Sequence, residues 1–140
     1  MQAEIKISPA SELPYVRLAS IALRQRDPAA AITFAQKALQ LAPNSVDAHY
    51  LLGRGSLESG DPTSAIRELE IAARLSPASP EIHFNLARAY ARAKMPDKAQ
   101  QERDIFNGLK KTEESQQGSQ SDSSSHDPAK EAKPTAVPAQ

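Results

Sequence analysis

Apolar residues recur at helical spacing in two stretches of the chain, residues 28–41 and 62–75. In each stretch an apolar residue lies three or four positions from the next one on the same face, as expected for an α-helix with one buried side. The positions that keep this spacing are Ile32, Ala35, Ala38 and Leu39 in the first stretch and Ile66, Leu69, Ala72 and Ala73 in the second. The pattern predicts two amphipathic helices. The two stretches come into register when the sequence is shifted along itself so that Ile32 aligns with Ile66.

The same shift aligns the surrounding segments without a gap and carries Pro43 onto Pro77. Seven of the 17 residues from Asp27 to Pro43 are identical to those from Asp61 to Pro77. A further set comes into register in the same way, with His49, Leu52 and Arg54 on His83, Leu86 and Arg88. Repeats as long as the interval from Pro43 to Pro77 are typical of stacked helical units. The sequence therefore predicts three units over 12–45, 46–79 and 80–112.

Capping and turn residues predict where the helices begin and end. An Asp-Pro pair at 27–28 and again at 61–62 places a capping carboxylate before a first-turn proline, which has no N–H to satisfy. The Ser-Pro-Glu segment at 79–81 predicts a similar start, and Gly60 marks a turn. Six helices are predicted, near 12–25, 28–41, 45–58, 62–75, 80–93 and 96–110.

These units resemble tetratricopeptide repeats. The characteristic positions hold Leu18-Ala19, Leu52-Gly53 and Leu86-Ala87 for the Leu-Gly pair, Ala31, Ala38, Ala65 and Ala72 for the second-helix alanines, Tyr90 for the first-helix aromatic, and Pro43 and Pro77 for the terminal proline. Tyr15, His49 and His83 stand in the tryptophan position, which departs from the family pattern. The resemblance covers about 100 of the 140 residues and implies an all-α, right-handed α-solenoid of three helix-turn-helix repeats.

The resemblance weakens in the last helix of the third unit. Arg103 stands where the earlier units have Ala35 and Leu69. Because an open-ended solenoid needs a polar terminal surface, this helix is predicted to be a solvent-facing cap. Gly55 has no role in the pattern, and we expect it to cost about 1 kcal/mol relative to alanine.

The resemblance implies a binding groove, because the first helices of such repeats line a concave surface that holds peptides or helices. The register predicts these groove residues: Arg17, Arg24, Tyr50, Arg54, Phe84, Asn85, Arg88 and Arg92. Guanidinium groups bind carboxylates and aromatic rings bury apolar area, so the expected partner is a peptide with acidic and apolar residues. The carboxylate clamp of some family members is not expected, since Val16, Ser20 and Leu51 occupy its positions.

Two alternatives stay open for these residues and for the whole chain. The arginines also fit an ordinary solvated helix face, and Tyr50 and Phe84 also fit packing between repeats. For the chain as a whole, self-association through the ends of the solenoid is the alternative to an adaptor that binds another protein. We expect no enzyme activity, cofactor or metal, and His49 and His83 are predicted to have a packing role.

Composition adds few constraints. The 17 basic and 17 acidic residues cancel, so no net charge favours nucleic acid or an anionic membrane. Cysteine is absent, which excludes disulfides. No signal peptide or membrane span is evident, and a cytoplasmic location is expected. Residues 1–11 are predicted to be an N-terminal extension, and residues 113–140, rich in Ser, Gln, Pro and Ala, a disordered tail.

Overall fold

The computed structural model describes residues 11–125, which form six helices joined by short turns. The helices are α1 (Leu13–Arg24), α2 (Pro28–Leu41), α3 (Val46–Glu58), α4 (Pro62–Leu75), α5 (Pro80–Arg92) and α6 (Pro96–Ser125). Each helix packs against the next along the chain, and the first helices of adjacent repeats also touch. The predicted all-α solenoid of three helix pairs is therefore confirmed.

The predicted aspartate caps are present, whereas the serine cap of α5 is not. Oδ1 of Asp27 and of Asp61 accepts a hydrogen bond from the backbone N–H three residues on, at 3.1 Å in both. Hydrogen bonds from Ser64 lower the pKa of Asp61 below its usual value. Ser79 was expected to cap α5, but its hydroxyl donates to Oε1 of Glu81 at 3.1 Å and makes no capping bond.

A residue in the left-handed conformation joins the two helices of every repeat. These residues are Arg26 (φ 61°), Gly60 (φ 86°) and Lys94 (φ 63°), which occupy the same position of the three repeats. Glycine adopts this conformation freely, while an L-residue with a Cβ pays roughly 1–2 kcal/mol. The backbone turn is thus the same in all three repeats, although only the second has the residue type that suits it.

Two glycines allow α3 to approach both of its neighbours. A Cβ at Gly53 would lie 2.6 Å from Cγ of Leu69 in α4, and a Cβ at Gly55 would lie 2.9 Å from Cγ1 of Ile32 in α2. Gly53 therefore allows α3 to pack closely on α4, within its own helix pair. The expectation that Gly55 has no role is wrong, because its contact is with the preceding repeat and not within its own helix pair.

Within residues 11–125, the core consists of two clusters that meet at Tyr50. One cluster joins the second and third repeats and contains Leu57 and Leu69, the largest fully buried side chains. The other joins the first two repeats around Ala19 and Ala35. Each repeat therefore completes its core only by packing on its neighbour.

The two histidines in the tryptophan position are buried and hydrogen-bonded at both ring nitrogens. Nδ1 of His49 lies 2.8 Å from Oε1 of Glu68, and Nε2 lies 2.8 Å from the carbonyl oxygen of Pro43. His83 makes the equivalent contacts with Glu102 and the Pro77 carbonyl, at 2.6 and 2.7 Å. The predicted packing role is confirmed, and each ring ties the end of one repeat to both helices of the next.

Helix α6 is longer than the sequence predicts, ending at Ser125 and not near residue 110. No proline interrupts it before Pro128, and local bonds support it: Thr112 donates to the Gly108 carbonyl at 3.1 Å, and Lys110 lies 3.4 Å from Glu113. Residues 113–125 are therefore helical where a disordered tail was expected. Residues 1–10 and 126–140, the rest of the two predicted terminal segments, lie outside the described residues. Neither α6 nor any other helix within 11–125 is long and apolar enough to cross a bilayer.

The outer face of α6 is polar, as expected for a cap. Gln100 donates to Asp104 at 2.9 Å, and Arg103 donates to Gln100 at 2.9 and 3.2 Å. The equivalents of Gln100 in the earlier repeats are Ile32 and Ile66, both packed in the core. This exchange of isoleucine for a hydrogen-bonded polar group ends the solenoid at its C-terminal side.

Candidate peptide-binding groove

The first helices of the three repeats lie side by side, with α3 in contact with both α1 and α5. Their side chains line two adjacent cavities on this surface. We define the groove as these two cavities together, named below as the aromatic cavity and the arginine cavity.

The aromatic cavity has a volume of about 370 Å³ and lies between α3, α5 and α6. Its lining residues are Tyr50, Arg54, Glu81, Phe84, Asn85, Arg88 and Phe106. The rings of Phe84 and Phe106 are tilted against each other with centroids 5.4 Å apart. Phe84 is still 47% exposed, so an apolar ring faces the open side of the cavity.

A hydrogen-bond network holds the floor of the aromatic cavity. The side-chain amide of Asn85 donates to the Tyr50 hydroxyl at 3.1 Å and to the Glu81 carbonyl at 2.9 Å. Arg88 donates to Oδ1 of Asn85 at 2.8 Å and lies 3.7 Å from Glu58. Because these bonds connect α3 with α5, they hold Tyr50 and Arg88 in position without a bound partner.

Arg54 lies at the boundary of the two cavities and lines both. Its guanidinium is 5.8 Å from the centroid of the Tyr50 ring, within the range of a cation–π contact. Burial raises the pKa of Tyr50, and the Arg54 charge opposes that rise. Among the described residues, the buried Nε of Arg54 has no hydrogen-bond partner.

The arginine cavity has a volume of about 470 Å³ and lies at the C-terminal ends of α1 and α3. Its lining residues are Leu23, Arg24, Arg26, Pro28, Arg54 and Glu58. Three arginines and a single carboxylate therefore line this cavity, and that carboxylate is 3.7 Å from Nη2 of Arg88. The cavity is positive although the whole chain has no net charge.

The structure brings most of the predicted groove residues together. Arg24, Arg54, Tyr50, Phe84, Asn85 and Arg88 line the two cavities. Arg92 lies beside them and donates to the Leu57 carbonyl of α3 at 3.2 Å. Arg17 lines neither cavity. It is exposed on α1 at the repeat position that is buried as Leu51 and Asn85 in the other units.

Several lining residues are not among the predicted groove residues, and Phe106 and Arg26 are two of them. Phe106 occupies the position of Ala38 and Ala72, both fully buried, in the earlier repeats. The sequence did contain an indication of the role of Phe106, because an aromatic ring at a position that holds alanine in the other repeats must point outward from the helix pair. No feature of the sequence indicated that Arg26 lines the groove, because it lies in the turn, where its backbone is in the left-handed conformation.

Solved structures of similar fold support the architecture. MamA (MSR-1) superposes with a TM-score of 0.67 at 19% identity, covering 80% of this chain and 64% of that one. YrrB gives 0.65 at 18% identity, covering 71% and 51%. An O-GlcNAc transferase of Thermobaculum terrenum gives 0.68 at 25% identity, covering 72% and 19%. The chain thus spans less than two thirds of each of these structures.

Family models cover the repeats themselves. One tetratricopeptide repeat model matches residues 16–56 and a second matches residues 56–102, so the two together cover most of the three units. No protein of curated function matches the sequence. From the matched models, the regular repeat register and the six packed helices, the chain belongs to the tetratricopeptide repeat family.

Proposed function

We propose that this protein-interaction module holds a partner protein in the groove, as an extended peptide or a helix that presents apolar and acidic side chains. The observation that carries the proposal is the position of Arg54, which lines a cavity rich in aromatic rings on one side and a cavity rich in arginines on the other. A partner that fills both needs two kinds of side chain close together.

The chemistry of each cavity specifies one of these side chains. A partner side chain against Phe84 and Phe106 buries apolar area on rings that lose little conformational entropy. A carboxylate in the arginine cavity accepts hydrogen bonds from Arg24, Arg26 or Arg54, and charge-assisted bonds of this kind are about twice as strong as neutral ones.

Peptide binding is also named for one protein of similar fold. YrrB is described as a TPR protein with an unusual peptide-binding site. At 18% identity the likeness supports a common scaffold only. The expected sequence of the partner therefore rests on the side chains of this chain, above all on Arg54 and Phe84.

Self-association remains the second candidate function, and it is favoured by exposed apolar residues on α1, Leu18 and Ile21. The polar, hydrogen-bonded face of α6 opposes stacking of one chain's N-terminal end on the next chain's C-terminal end. Light scattering after size exclusion distinguishes the two functions, since an adaptor is expected to remain monomeric at all concentrations.

A library of random 12-residue peptides tests the groove. We expect peptides selected on the full chain to be enriched in Asp or Glu beside Leu, Ile or aromatic residues. Their affinity should fall at least tenfold in the Arg54→Glu and Arg88→Glu variants, because a like charge then faces the acidic residue.

The matched control is Arg74→Glu, a charge reversal at an exposed position in the last turn of α4. It should leave peptide affinity unchanged, and circular dichroism should show equal helicity for all variants. Selected peptides without acidic residues, or equal affinity for the groove and control variants, would contradict the proposal.

A further inference from the structure

One face of α1 is exposed although the same face is buried in both other repeats. It consists of Pro14, Arg17, Leu18 and Ile21, which are exposed in the structure, and we call it the α1 end face. Their equivalents are Ala48, Leu51, Leu52 and Gly55 in α3 and Ile82, Asn85, Leu86 and Ala89 in α5, all of them buried. Leu18 is 41% exposed, compared with 8% for Leu52 and 2% for Leu86.

In the other repeats, this face is covered by a helix. Gly55 meets Ile32 of α2, and the face of α5 packs against α4, with Ala89 in the same cluster as Ile66. The α1 end face is therefore the next member of a series of helix–helix interfaces. A helix is the shape that this position accommodates.

A further repeat stacked at the same spacing does not fit. The position of Ile21 holds glycine in α3, where even a Cβ would come within 2.9 Å of Ile32, and alanine in α5. An isoleucine there requires a wider approach, closer to the roughly 8–10 Å of ordinary helix packing. The covering helix is thus not a regular member of this solenoid.

The charge on the α1 end face limits which helix can cover it. Arg17 stands among the apolar residues of the end face, and none of its four positions holds a carboxylate. Two copies packed through this face would bring Arg17 near its own counterpart. The C-terminal end of another copy is not suited to cover the α1 end face either, because the outer face of α6 is polar and its side chains hydrogen-bond to one another.

We propose that the α1 end face docks an amphipathic helix of a second protein, with an acidic residue placed opposite Arg17 and apolar residues on Leu18 and Ile21. The carboxylate supplies the charge that Arg17 needs once it is buried. This docking site is separate from the groove and does not depend on the proposed peptide binding.

Two designed 18-residue amphipathic helices serve as probes, identical except for Glu or Lys beside the apolar stripe. Methyl resonances of Leu18 and Ile21 in the full chain report binding by NMR. We expect the Glu peptide to shift these resonances in a saturable titration, and the Lys peptide to bind at least tenfold more weakly. Arg17→Glu should reverse that preference, and Ile21→Glu should abolish binding of both.

The matched control is Arg74→Glu, the exposed charge reversal in α4, and its Leu18 and Ile21 resonances should respond to the Glu peptide as those of the wild type do. The proposal is overturned if neither peptide shifts Leu18 and Ile21, or if shifts appear only around Phe84. It is also overturned if sedimentation shows a dimer that Ile21→Glu dissociates, or if the free chain shows contacts between these methyl groups and residues before Ser11.

Discussion

His49 and Glu68 form a buried pair in which Nδ1 of the ring lies 2.8 Å from Oε1 of the carboxyl group. The other ring nitrogen faces the carbonyl oxygen of Pro43, which can only accept a hydrogen bond. Both ring nitrogens therefore face oxygen atoms, and satisfying both contacts requires a proton held between the ring and the carboxyl group. His83 and Glu102 repeat this arrangement at the same positions of the next repeat.

We expect the pair to be energetically coupled. Replacing either His49 or Glu68 by leucine leaves a buried polar partner unsatisfied, which costs about 1–3 kcal/mol. The double variant should lose less than the sum of the two single variants, with a coupling of about 0.5–3 kcal/mol. Urea unfolding of the four proteins measures this cycle, and strictly additive losses would show that the two residues act independently. The exposed change Lys111→Leu should alter stability by no more than about 0.5 kcal/mol.

The bond between Tyr90 and Glu70 predicts a loss of stability in alkaline solution. The Tyr90 hydroxyl donates to Oε2 of Glu70, and burial together with this carboxylate raises the pKa of Tyr90 above its ordinary value of about 10. A raised pKa in the folded state means that the stabilisation is complete below about pH 10 and declines as the pH rises further.

The measurement is urea unfolding of the wild type and Tyr90→Phe at pH 8 and at pH 10.5. We expect the variant to lose less stability over this interval, because phenylalanine has no proton to release. Glu70→Gln, which removes the neighbouring charge, should also flatten the dependence. Parallel losses in all three proteins would assign the alkaline sensitivity to other groups.

Replacing glycine by alanine should have opposite effects on stability at Gly55 and at Gly108. Gly55→Ala adds a Cβ 2.9 Å from Ile32, and overpacking of this kind costs about 1–3 kcal/mol. Gly108→Ala, in α6 with nothing within 4 Å, should stabilise the chain by about 0.5–1 kcal/mol through helix propensity alone. Thermal unfolding compares the two. In an Ile32→Ala background, which lacks the contacted Cγ1, Gly55→Ala should cost less than it does in the wild type. A stabilising Gly55→Ala would show that α2 and α3 can separate without cost.

Local sequence was sufficient for the scaffold. The repeat register, the capping aspartates and the apolar spacing located six helices, because each of these features acts within a few residues of the position that it determines. Two predictions about helix ends were less successful, although the bonds that decide them are also local. Ser79 bonds to Glu81 and not to the backbone, and helix α6 continues to Ser125 on local bonds, although its composition predicts disorder.

The candidate groove was only partly visible in the sequence. Arg54, Phe84 and Arg88 were found because the register places them on the first helices. Phe106 and Arg26 were not, since one comes from a second helix and the other from a turn. Their membership depends on how side chains from separate helices converge.

By itself, the sequence determined the family, the number of repeats and the polar end of the solenoid, since these follow from which residue type recurs at each repeat position. Only the tertiary structure decided why Gly55 is glycine, which side chains share a cavity with Arg54, and that Leu18 and Ile21 remain uncovered within residues 11–125. Those properties depend on distances between residues that are far apart in the chain, and such distances exist only after the helices have packed.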